Sequence, residues 1–257
     1  MINIKTKNEI EIMVNGGKIL ADTLFTVLKE IKPGVSELEI DALAEKLIRE
    51  KGGEPGFKKV PGYHHATCIS TNDVVVHGIP TGYQFNQGDV VGVDCGVYYK
   101  GFHTDMAETI RVKIQNSKVK SEDNVDKFLK VGKEALEAGI SQATLGNHVG
   151  DISKAIQDIV EGQNGYSVVR TLVGHGVGRQ LHEDPEVPGF LSDPVVKTPL
   201  LKEGMVIAVE AIYNMGKDEV VYSGGDDWTI KTKDQSLSGL FERTLVITKS
   251  GPRILTK

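Results

Sequence analysis

The sequence contains little that would place the protein in a membrane or outside a cell. No stretch of its 257 residues approaches the roughly 18 apolar residues that a membrane-spanning helix needs. The first residues, MINIKTKNEIEIM, include no long apolar core, so we expect neither a signal peptide nor a membrane anchor. We therefore expect a cytoplasmic protein that has no membrane partner.

Cysteine and positive charge are also scarce. The two cysteines, Cys68 and Cys95, are too few for a disulfide framework. The formal net charge of −5 provides no basic surface for nucleic acid, so we expect no nucleic-acid specificity. With 25% charged residues the composition is that of an ordinary soluble protein, and the length suits one large domain or two small ones.

The predicted elements follow the same order in both halves of the chain. Helical spacing of apolar residues covers 7–30, and Ser36 with Glu39 predicts a capping box that opens a second helix through about Arg49. In the second half, 125–138 is predicted helical, Gly139 interrupts, and 149–161 is helical again. Strand-like runs follow each helix pair, at 67–70, 74–77, 90–94, 109–114, 167–170, 205–209 and 245–248.

One short segment of the first half is similar in sequence to one of the second half, and both segments end in a carboxylate. The segment GDVVGVD, which ends at Asp94, is similar to GMVIAVE, which ends at Glu210. Such strands are common, so the match is open to chance. The alternative is a duplicated helix–helix–sheet unit, with halves of about 1–122 and 123–257. Two facing halves would then supply acids to a site at their joint, where pockets usually form.

Four carboxylates and one imidazole form a ligand set that suits two divalent metal ions. They are Asp94, Asp105, His175, Glu210 and Glu242. Carboxylates bridge two cations and offset their charge, and one neutral imidazole defines one end of such a site. Two ions about 3.5–4 Å apart can share a hydroxide and stabilise a hydrolytic transition state. The set therefore indicates a reaction type, hydrolysis, as well as a binding site.

The two aspartates of the set are separated by ten residues. The sequence Tyr99-Lys100-Gly101 between them predicts a hairpin turn. A hairpin returns the chain, so that both carboxylates can reach one point. Taken alone, Asp94 and Asp105 could equally be strand-end residues that face water.

Three histidines stand in unusual surroundings. His175 lies in GHGVGR, where glycines allow close backbone approach, although the Lys-Ser/Thr ending of a phosphate-binding loop is missing. His182 follows seven residues later, and His77 ends an apolar strand before Gly-Ile-Pro. Each could be a structural histidine. Together, His175 and His182 suggest one metal ligand and one nearby proton or hydrogen-bond donor.

The two glutamates border apolar segments. Glu210 ends an apolar strand, and Glu242 comes just before the apolar run at 245–247. A carboxylate among buried residues needs a cation or hydrogen-bond donors, because burying a charge without them is costly. A metal ion would meet that need, and an ion pair with Arg243 or a lysine is the alternative.

The order of these motifs resembles that of type I methionine aminopeptidases of peptidase family M24, in their short bacterial form. The motifs are VHGIP, D-x10-D, GHGVGR-x2-HE-x-P, VE and FE, and the segment DDWTIKTKDQSLSGLFERT is especially similar. The resemblance covers about residues 4–257. It implies the pita-bread fold, an α/β (α+β) fold with internal pseudo-twofold symmetry and an antiparallel-rich curved sheet covered by helices. It also implies one catalytic domain over 1–257.

The resemblance implies a role for each member of the acidic set. Asp94 would bind one metal ion, and His175 and Glu210 the other, while Asp105 and Glu242 would bridge both. The two divalent ions would be Co, Mn, Fe, Zn or Ni. Glu210 would also carry a proton to the leaving nitrogen after a metal-bridging hydroxide attacks the carbonyl carbon.

Further positions match those that contact the substrate in the family. His77 and His182 would steady the substrate carbonyl or its developing oxyanion. Tyr63, Cys68, Leu181 and Trp228 match positions that line the methionine pocket, and their alternative role is ordinary core packing.

The implied function is removal of the initiator methionine from nascent proteins whose second residue is small. Partners would be nascent polypeptide N-termini, with ribosome contact implied by the family alone, and nothing demands more than a monomer. Two alternatives stay open. One is an Xaa-Pro aminopeptidase or dipeptidase of the same fold, and the other is a non-catalytic pita-bread binding protein.

Three residues depart from the family pattern. Arg243 stands where histidine usually follows the last glutamate, Ala211 stands where proline is usual, and Leu181 stands where an aromatic is common. A fixed cation at Arg243 could compete with metal for the Glu242 carboxylate. It could instead point away and pair with another acid.

Overall fold

A computed structural model describes residues 2–113 and 123–257. Its helices are α1 (Lys7–Glu30), α2 (Glu37–Glu50), α3 (Asn124–Gln142) and α4 (Val149–Gln157). Short 3-10 turns lie at Phe57–Lys59 and Val195–Lys197, and a π-helical segment at Asp158–Gln163. Ile114, which ends the predicted strand 109–114, lies outside the described residues, as does residue 122 at the predicted division between the halves.

Thirteen strands are found among the described residues. In the first half they are β1 (Glu54–Pro55), β2 (Thr67–Thr71), β3 (Val74–Val76), β4 (Val90–Tyr99) and β5 (Phe102–Arg111). In the second half they are β6 (Ser167–Val168), β7 (Gly174–Gly176), β8 (Glu183–Val187), β9 (Val206–Asn214), β10 (Val220–Tyr222), β11 (Ile230–Thr232), β12 (Ser238–Thr248) and β13 (Gly251–Ile254). None of the described helices is long and apolar enough to cross a membrane.

The predicted start of α2 is confirmed. The Ser36 hydroxyl accepts a hydrogen bond from the Glu39 backbone N–H at 3.3 Å, and the Glu39 carboxylate accepts one from the Ser36 N–H at 2.8 Å. This reciprocal pair satisfies N–H groups that have no partner within the helix. Thr6 and Glu9 form the same box at the start of α1.

The predicted interruption at Gly139 is wrong, because α3 continues through it to Gln142. A Cβ atom at Gly139 would lie 2.8 Å from Cγ1 of Ile156 in α4. The glycine therefore allows close packing of two helices and does not end one. The predicted helix 149–161 is α4 followed by the π-helical segment.

The strands form three antiparallel sheets. In the first, β4 pairs with β1, β2 and β5, and in the largest the order is β13-β12-β9-β7-β8, with β6 also on β9. A small sheet has the order β10-β11-β3, so it joins strands from both halves. Along the chain, each of the two helix pairs is thus followed by antiparallel strands.

Two threonine hydroxyls join β5 of the first half to β12 of the second. The Thr109 hydroxyl donates to the Leu240 carbonyl at 2.7 Å and accepts from the Leu240 N–H at 2.9 Å. The Thr244 hydroxyl makes the matching pair with the carbonyl and N–H of Asp105. These bonds hold the strands that carry Asp105 and Glu242 side by side.

Helices cover one face of the long strands. Successive side chains of a strand point to opposite faces, so alternate residues pack against the helices. In β4 these are Val91, Val93, Cys95 and Val97, and in β9 they are Ile207, Val209, Ala211 and Tyr213. The residues between them face away from the helices, and Asp94 and Glu210 are among these.

Candidate functional site

Four long strands each place one carboxylate on the face that points away from the helices. Asp94 lies in β4, Asp105 in β5, Glu210 in β9 and Glu242 in β12, and Glu210 and Glu242 are direct partners across the β9–β12 pair. All four line one cavity together with His175 of β7. The expectation that Asp94 and Glu210 end their strands, and that Glu242 precedes one, is wrong. Rigid strand interiors hold all three.

The hairpin predicted between the two aspartates is present. Strands β4 and β5 pair along their length, and Lys100 and Gly101 form the turn with φ values of 47° and 93°. Positive φ at both central residues suits the right-handed twist of a two-residue hairpin. The hairpin places Asp105 opposite Gly96, two residues beyond Asp94 on the neighbouring strand.

The His175 ring is oriented by its own backbone. Its Nδ1 lies 2.8 Å from the carbonyl oxygen of Gly176, which can only accept a hydrogen bond. Nδ1 therefore carries the proton and Nε2 has the free lone pair. Nε2 lies 3.6 Å from Oε1 of Glu210 and 3.9 Å from Oδ2 of Asp105. This tautomer is the one that ligates a metal through Nε2.

The carboxylates of the cavity are buried without enough partners. Oδ1 of Asp94 and Oε1 of Glu242 are buried and accept no hydrogen bond from any described residue. No lysine or arginine is among the described residues that line the cavity. Burying several anions without a cation is costly, so the donor set fits positively charged metal ions. Ligand atoms of Asp105, His175 and Glu242 lie within 4.8 Å of one another, which suits one shared ion.

The pKa values of the site residues reflect the same cost of burying charge. Burial, with the Asp105 and Glu210 carboxylates nearby, raises the pKa of Asp94 well above its usual range. Burial also raises the pKa of Glu210 and Glu242 well above their usual range, and that of Asp105 to about 7. Burial next to His182 lowers the pKa of His175 to about 3. The imidazole is therefore neutral near pH 7, as a metal ligand must be.

An apolar end of the cavity adjoins the acidic cluster. The cavity has a volume of about 300 Å³, and Tyr63, Cys68, Leu181 and Trp228 all line it. The Tyr63 and Trp228 rings meet edge to face with centroids 5.1 Å apart. The Tyr63 hydroxyl donates to the Thr67 carbonyl at 2.8 Å and lies 3.1 Å from Sγ of Cys68. All four predicted pocket positions are thus brought together beside the acids.

His77 and His182 line the same cavity. The rings of His182 and His175 meet edge to face with centroids 4.4 Å apart. Burial lowers the pKa of His77 to about 4 and also lowers that of His182. Both rings are therefore neutral near pH 7, and each can donate one hydrogen bond without adding a charge. His77 has a φ of 55°, so the chain leaves the extended conformation where β3 ends.

Two carboxylates, those of Asp41 and Asp226, hold the backbone that forms the apolar wall of the cavity. Asp41 of α2 accepts hydrogen bonds from the N–H groups of Ala66 and Thr67 at 2.9 and 2.8 Å, directly before Cys68. Asp226 accepts from the N–H groups of Trp228 and Thr229 at 2.7 and 2.5 Å. These bonds hold the start of β2, which carries Cys68, and the loop that carries Trp228.

Several lining residues were not found by sequence reasoning. Phe57, Val60, Thr171, Leu172 and Val173 also line the cavity. They come from loops or short turns, where apolar residues carry no periodic signal. Only the folded chain shows that they line this cavity.

Arg243 does not bind the Glu242 carboxylate. Its Nη2 lies 2.6 Å from Oε2 of Glu108, and its Nη1 donates to the backbone carbonyls of Ala107 and Glu242 at 3.0 and 2.7 Å. Of the two alternatives for this residue, the structure shows pairing with another acid. Ala211 is fully buried in the core beneath α3 and α4, on the face opposite the acids.

The chain is similar to known proteins over most or all of its length. A model described as metallopeptidase family M24 matches residues 11–249. The methionine aminopeptidase of Clostridium perfringens is 42% identical over 256 residues, which covers 100% of this chain and 99% of that protein. Methionine aminopeptidase 1 of Bacillus subtilis is 40% identical over 257 residues and is covered in full, as is this chain.

Solved structures of other proteins also superpose on nearly the whole chain. The crystal structure of a methionine aminopeptidase from Thermotoga maritima superposes with a TM-score of 0.93 at 39% identity, over 100% of both chains. A prolidase from Pyrococcus horikoshii superposes with a TM-score of 0.75 at 25% identity, over 99% of this chain and 63% of the prolidase. The predicted pita-bread fold is confirmed.

Proposed function

Since the chain belongs to metallopeptidase family M24, we propose that its acidic cavity is the active site that removes the N-terminal methionine from proteins. The enzyme is a metal-dependent aminopeptidase, and N-termini of nascent polypeptides are its substrates. One observation supports the site above all others. A buried carboxylate cluster with unpartnered oxygens opens directly onto an apolar pocket.

The donor set would hold two divalent ions. Asp94 would ligate one, His175 and Glu210 the other, and Asp105 and Glu242 both, while the element is one of Co, Mn, Fe, Zn or Ni. When bound, such ions supply Lewis-acid polarisation of the scissile carbonyl and acidify a water molecule.

The side chains around the ions would bind and orient the substrate. The methionine side chain, flexible and polarisable, suits the aromatic pocket of Tyr63 and Trp228, with Cys68 and Leu181 completing its walls. His77 and His182, both neutral, would each donate a hydrogen bond to the carbonyl oxygen as it becomes negative. Glu210 would carry the proton to the leaving nitrogen.

The same geometry supports a preference for a small second residue, because histidines and metal ligands crowd the cavity beyond the methionine. We also propose that residues 1–257 act as one catalytic domain with halves of about 1–122 and 123–257. A monomer that works in the cytoplasm, near the ribosome that produces its substrates, fits this role.

The test is release of free methionine from Met-Ala-Ser and Met-Pro-Ser, with Ala-Pro-Ser beside them. Each is incubated with Co²⁺ or Mn²⁺ and then with EDTA. We expect metal-dependent release from the methionine peptides alone. Cleavage of Ala-Pro-Ser instead would indicate an Xaa-Pro peptidase, and absence of cleavage with every metal would indicate a non-catalytic binding protein.

The matched variant for this test is Glu210→Gln, which keeps the shape of the side chain but removes its charge and its basicity. We expect no turnover and an unchanged circular dichroism spectrum. Turnover at the wild-type rate would rule out Glu210 as the proton carrier.

A further inference from the structure

The segment before α1 lies against the second half of the molecule. Ile4 forms a β-bridge with Met205, and the Lys5 N–H donates to the Gly204 carbonyl at 2.9 Å. The backbone of Lys5 is therefore attached to the loop that leads into β9. This attachment directs the Lys5 side chain toward the segment 178–183.

The Lys5 side chain ends in a buried ion pair with Glu183. Nζ of Lys5 lies 2.7 Å from Oε2 of Glu183, and the two side chains are only 3% and 5% exposed. The same carboxylate oxygen accepts a hydrogen bond from Nδ2 of Asn3 at 3.2 Å, and Oε1 accepts one from the Gln180 N–H at 3.2 Å. Lysine and glutamate are almost never this buried unless they are paired.

The ion pair closes the loop that carries two cavity residues. Leu181 and His182 lie between Gln180 and Glu183, and both line the cavity. The Glu183 carboxylate bonds to the N–H of Gln180 on the far side of this short loop, so it spans the loop. Gly178 packs tightly on the pair, since a Cβ there would lie 2.6 Å from both Oε1 of Glu183 and Cε of Lys5.

The loop is also held from the first half of the chain. The His103 N–H in β5 donates to the Gly178 carbonyl at 2.7 Å. The backbone at 178 is thus attached to the strand that carries Asp105, while the side chain at 183 is attached to Lys5. His182 lies between these two points and directly precedes Glu183.

We propose that Lys5 and Glu183 are positioning residues that hold the His182 ring at the scissile carbonyl, an inference that rests on the proposed function of His182. A buried ion pair contributes little net stability, but loss of one partner leaves a buried charge that must find water. Without Lys5 the Glu183 carboxylate would turn outward and carry the adjacent His182 with it. A displacement of about 1 Å is enough to lower turnover by about 100-fold.

The test is a double-mutant cycle on the metal-loaded enzyme with Met-Ala-Ser. Lys5→Met keeps the length of the side chain and removes its charge. We expect kcat to fall about 10- to 100-fold, with KM changed less than about threefold and metal content unchanged. In a His182→Asn background the same change is expected to have no further effect on kcat. An equal loss in both backgrounds, or no loss in either, would overturn the positioning role.

Two further variants show whether a loss of kcat in Lys5→Met is caused by misfolding. Lys249→Met removes an exposed lysine whose Nζ lies 3.7 Å from Glu203, and we expect it to leave kcat and the melting temperature unchanged. Lys5→Met with Glu183→Leu removes both charges, so no buried charge is left alone. We expect this double variant to fold and to keep the loss of kcat, because leucine at 183 cannot accept the hydrogen bond from the Gln180 N–H that spans the loop. Recovery to the wild-type kcat would contradict the proposal.

A readout without catalysis separates this inference from the proposed function. The imidazole proton resonances are compared by NMR in the wild type and in Lys5→Met, both loaded with Zn²⁺, and His182→Asn assigns its signal. We expect the His182 resonance to shift and that of His148 to remain. An unmoved His182 resonance would refute the positioning role even if methionine is released. A moved resonance in a protein that cleaves no peptide would refute only the proposed function.

Discussion

Arg243 and Glu108 form an ion pair of 2.6 Å on the helix-facing side of β12 and β5, while their neighbours Glu242 and Ala107 face the opposite way. Adjacent residues of a strand point to opposite faces, so a cation next to Glu242 in sequence is directed away from its carboxylate. Lys133 of α3 lies 2.9 Å from the other oxygen of Glu108. The arginine is therefore part of the contact between sheet and helix.

We predict that Arg243→Leu lowers stability and leaves metal binding intact. It deprives the buried Glu108 carboxylate of one partner, while Lys133 remains, so we expect a loss of about 2 kcal/mol. Urea unfolding and metal analysis measure the two effects. The control Lys133→Met removes an exposed partner and should cost less than about 1 kcal/mol. A tenfold change in metal affinity for Arg243→Leu would show that Arg243 acts on the Glu242 carboxylate.

We predict that Glu242→Gln stabilises the metal-free protein and reduces the stabilisation that added metal provides. In the absence of metal, Glu242 is buried beside three other carboxylates, and burial raises its pKa well above the usual range. The amide removes that charge, so the melting temperature in EDTA should rise. Addition of Mn²⁺ should raise the melting temperature of the wild type more than that of the variant. Equal increases in the two proteins would mean that Glu242 is not a ligand.

We predict that Asp226→Asn weakens binding of methionine substrates. Asp226 accepts hydrogen bonds from two successive N–H groups in the loop that carries Trp228. Loss of the carboxylate loosens the aromatic wall, so KM for Met-Ala-Ser should rise several-fold with a smaller change in kcat. Asp234→Asn is a matched control, because Asp234 caps a different loop through the N–H groups of Lys217 and Ser236. A KM that rises equally in both variants would argue against a specific role.

We predict that the contribution of Glu161 to stability disappears in acid. Burial alone would raise the pKa of Glu161, but hydrogen bonds from Gln157, Arg170 and the Val168 N–H outweigh it and hold the pKa below the usual 4.5. A lowered pKa in the folded state adds stability above pH 4.5, and that stability is lost as the pH falls through the folded value. The wild type should exceed Glu161→Gln by about 1 kcal/mol at pH 7.

Urea unfolding at pH 7, 5.5 and 4 measures this difference. The gap between the two proteins should be equal at pH 7 and 5.5 and smaller at pH 4. A gap that widens toward pH 4 would contradict the assigned direction of the pKa shift.

Much of the site could be read from residue types and their order. The capping box at Ser36 and the hairpin between Asp94 and Asp105 depend on local spacing, which is visible in a sequence. The roles of the five metal-ligand candidates were implied by the resemblance of the motif order to a known family. The interruption expected at Gly139 failed because the reason for that glycine lies in another helix. Ile156 approaches it from α4, and no pattern near Gly139 reveals that contact.

The sequence by itself determined the two helix pairs, the strand-like segments that follow them and the types of donor side chain, since these follow from neighbours in the chain. Only the tertiary structure decided which donors meet, which way Arg243 points and how Lys5 reaches Glu183. Those outcomes depend on strands and loops that are up to 178 residues apart in the chain. Their contacts are selected by the packing of two helix-covered sheets, because only that packing buries both apolar cores and leaves the acids facing each other.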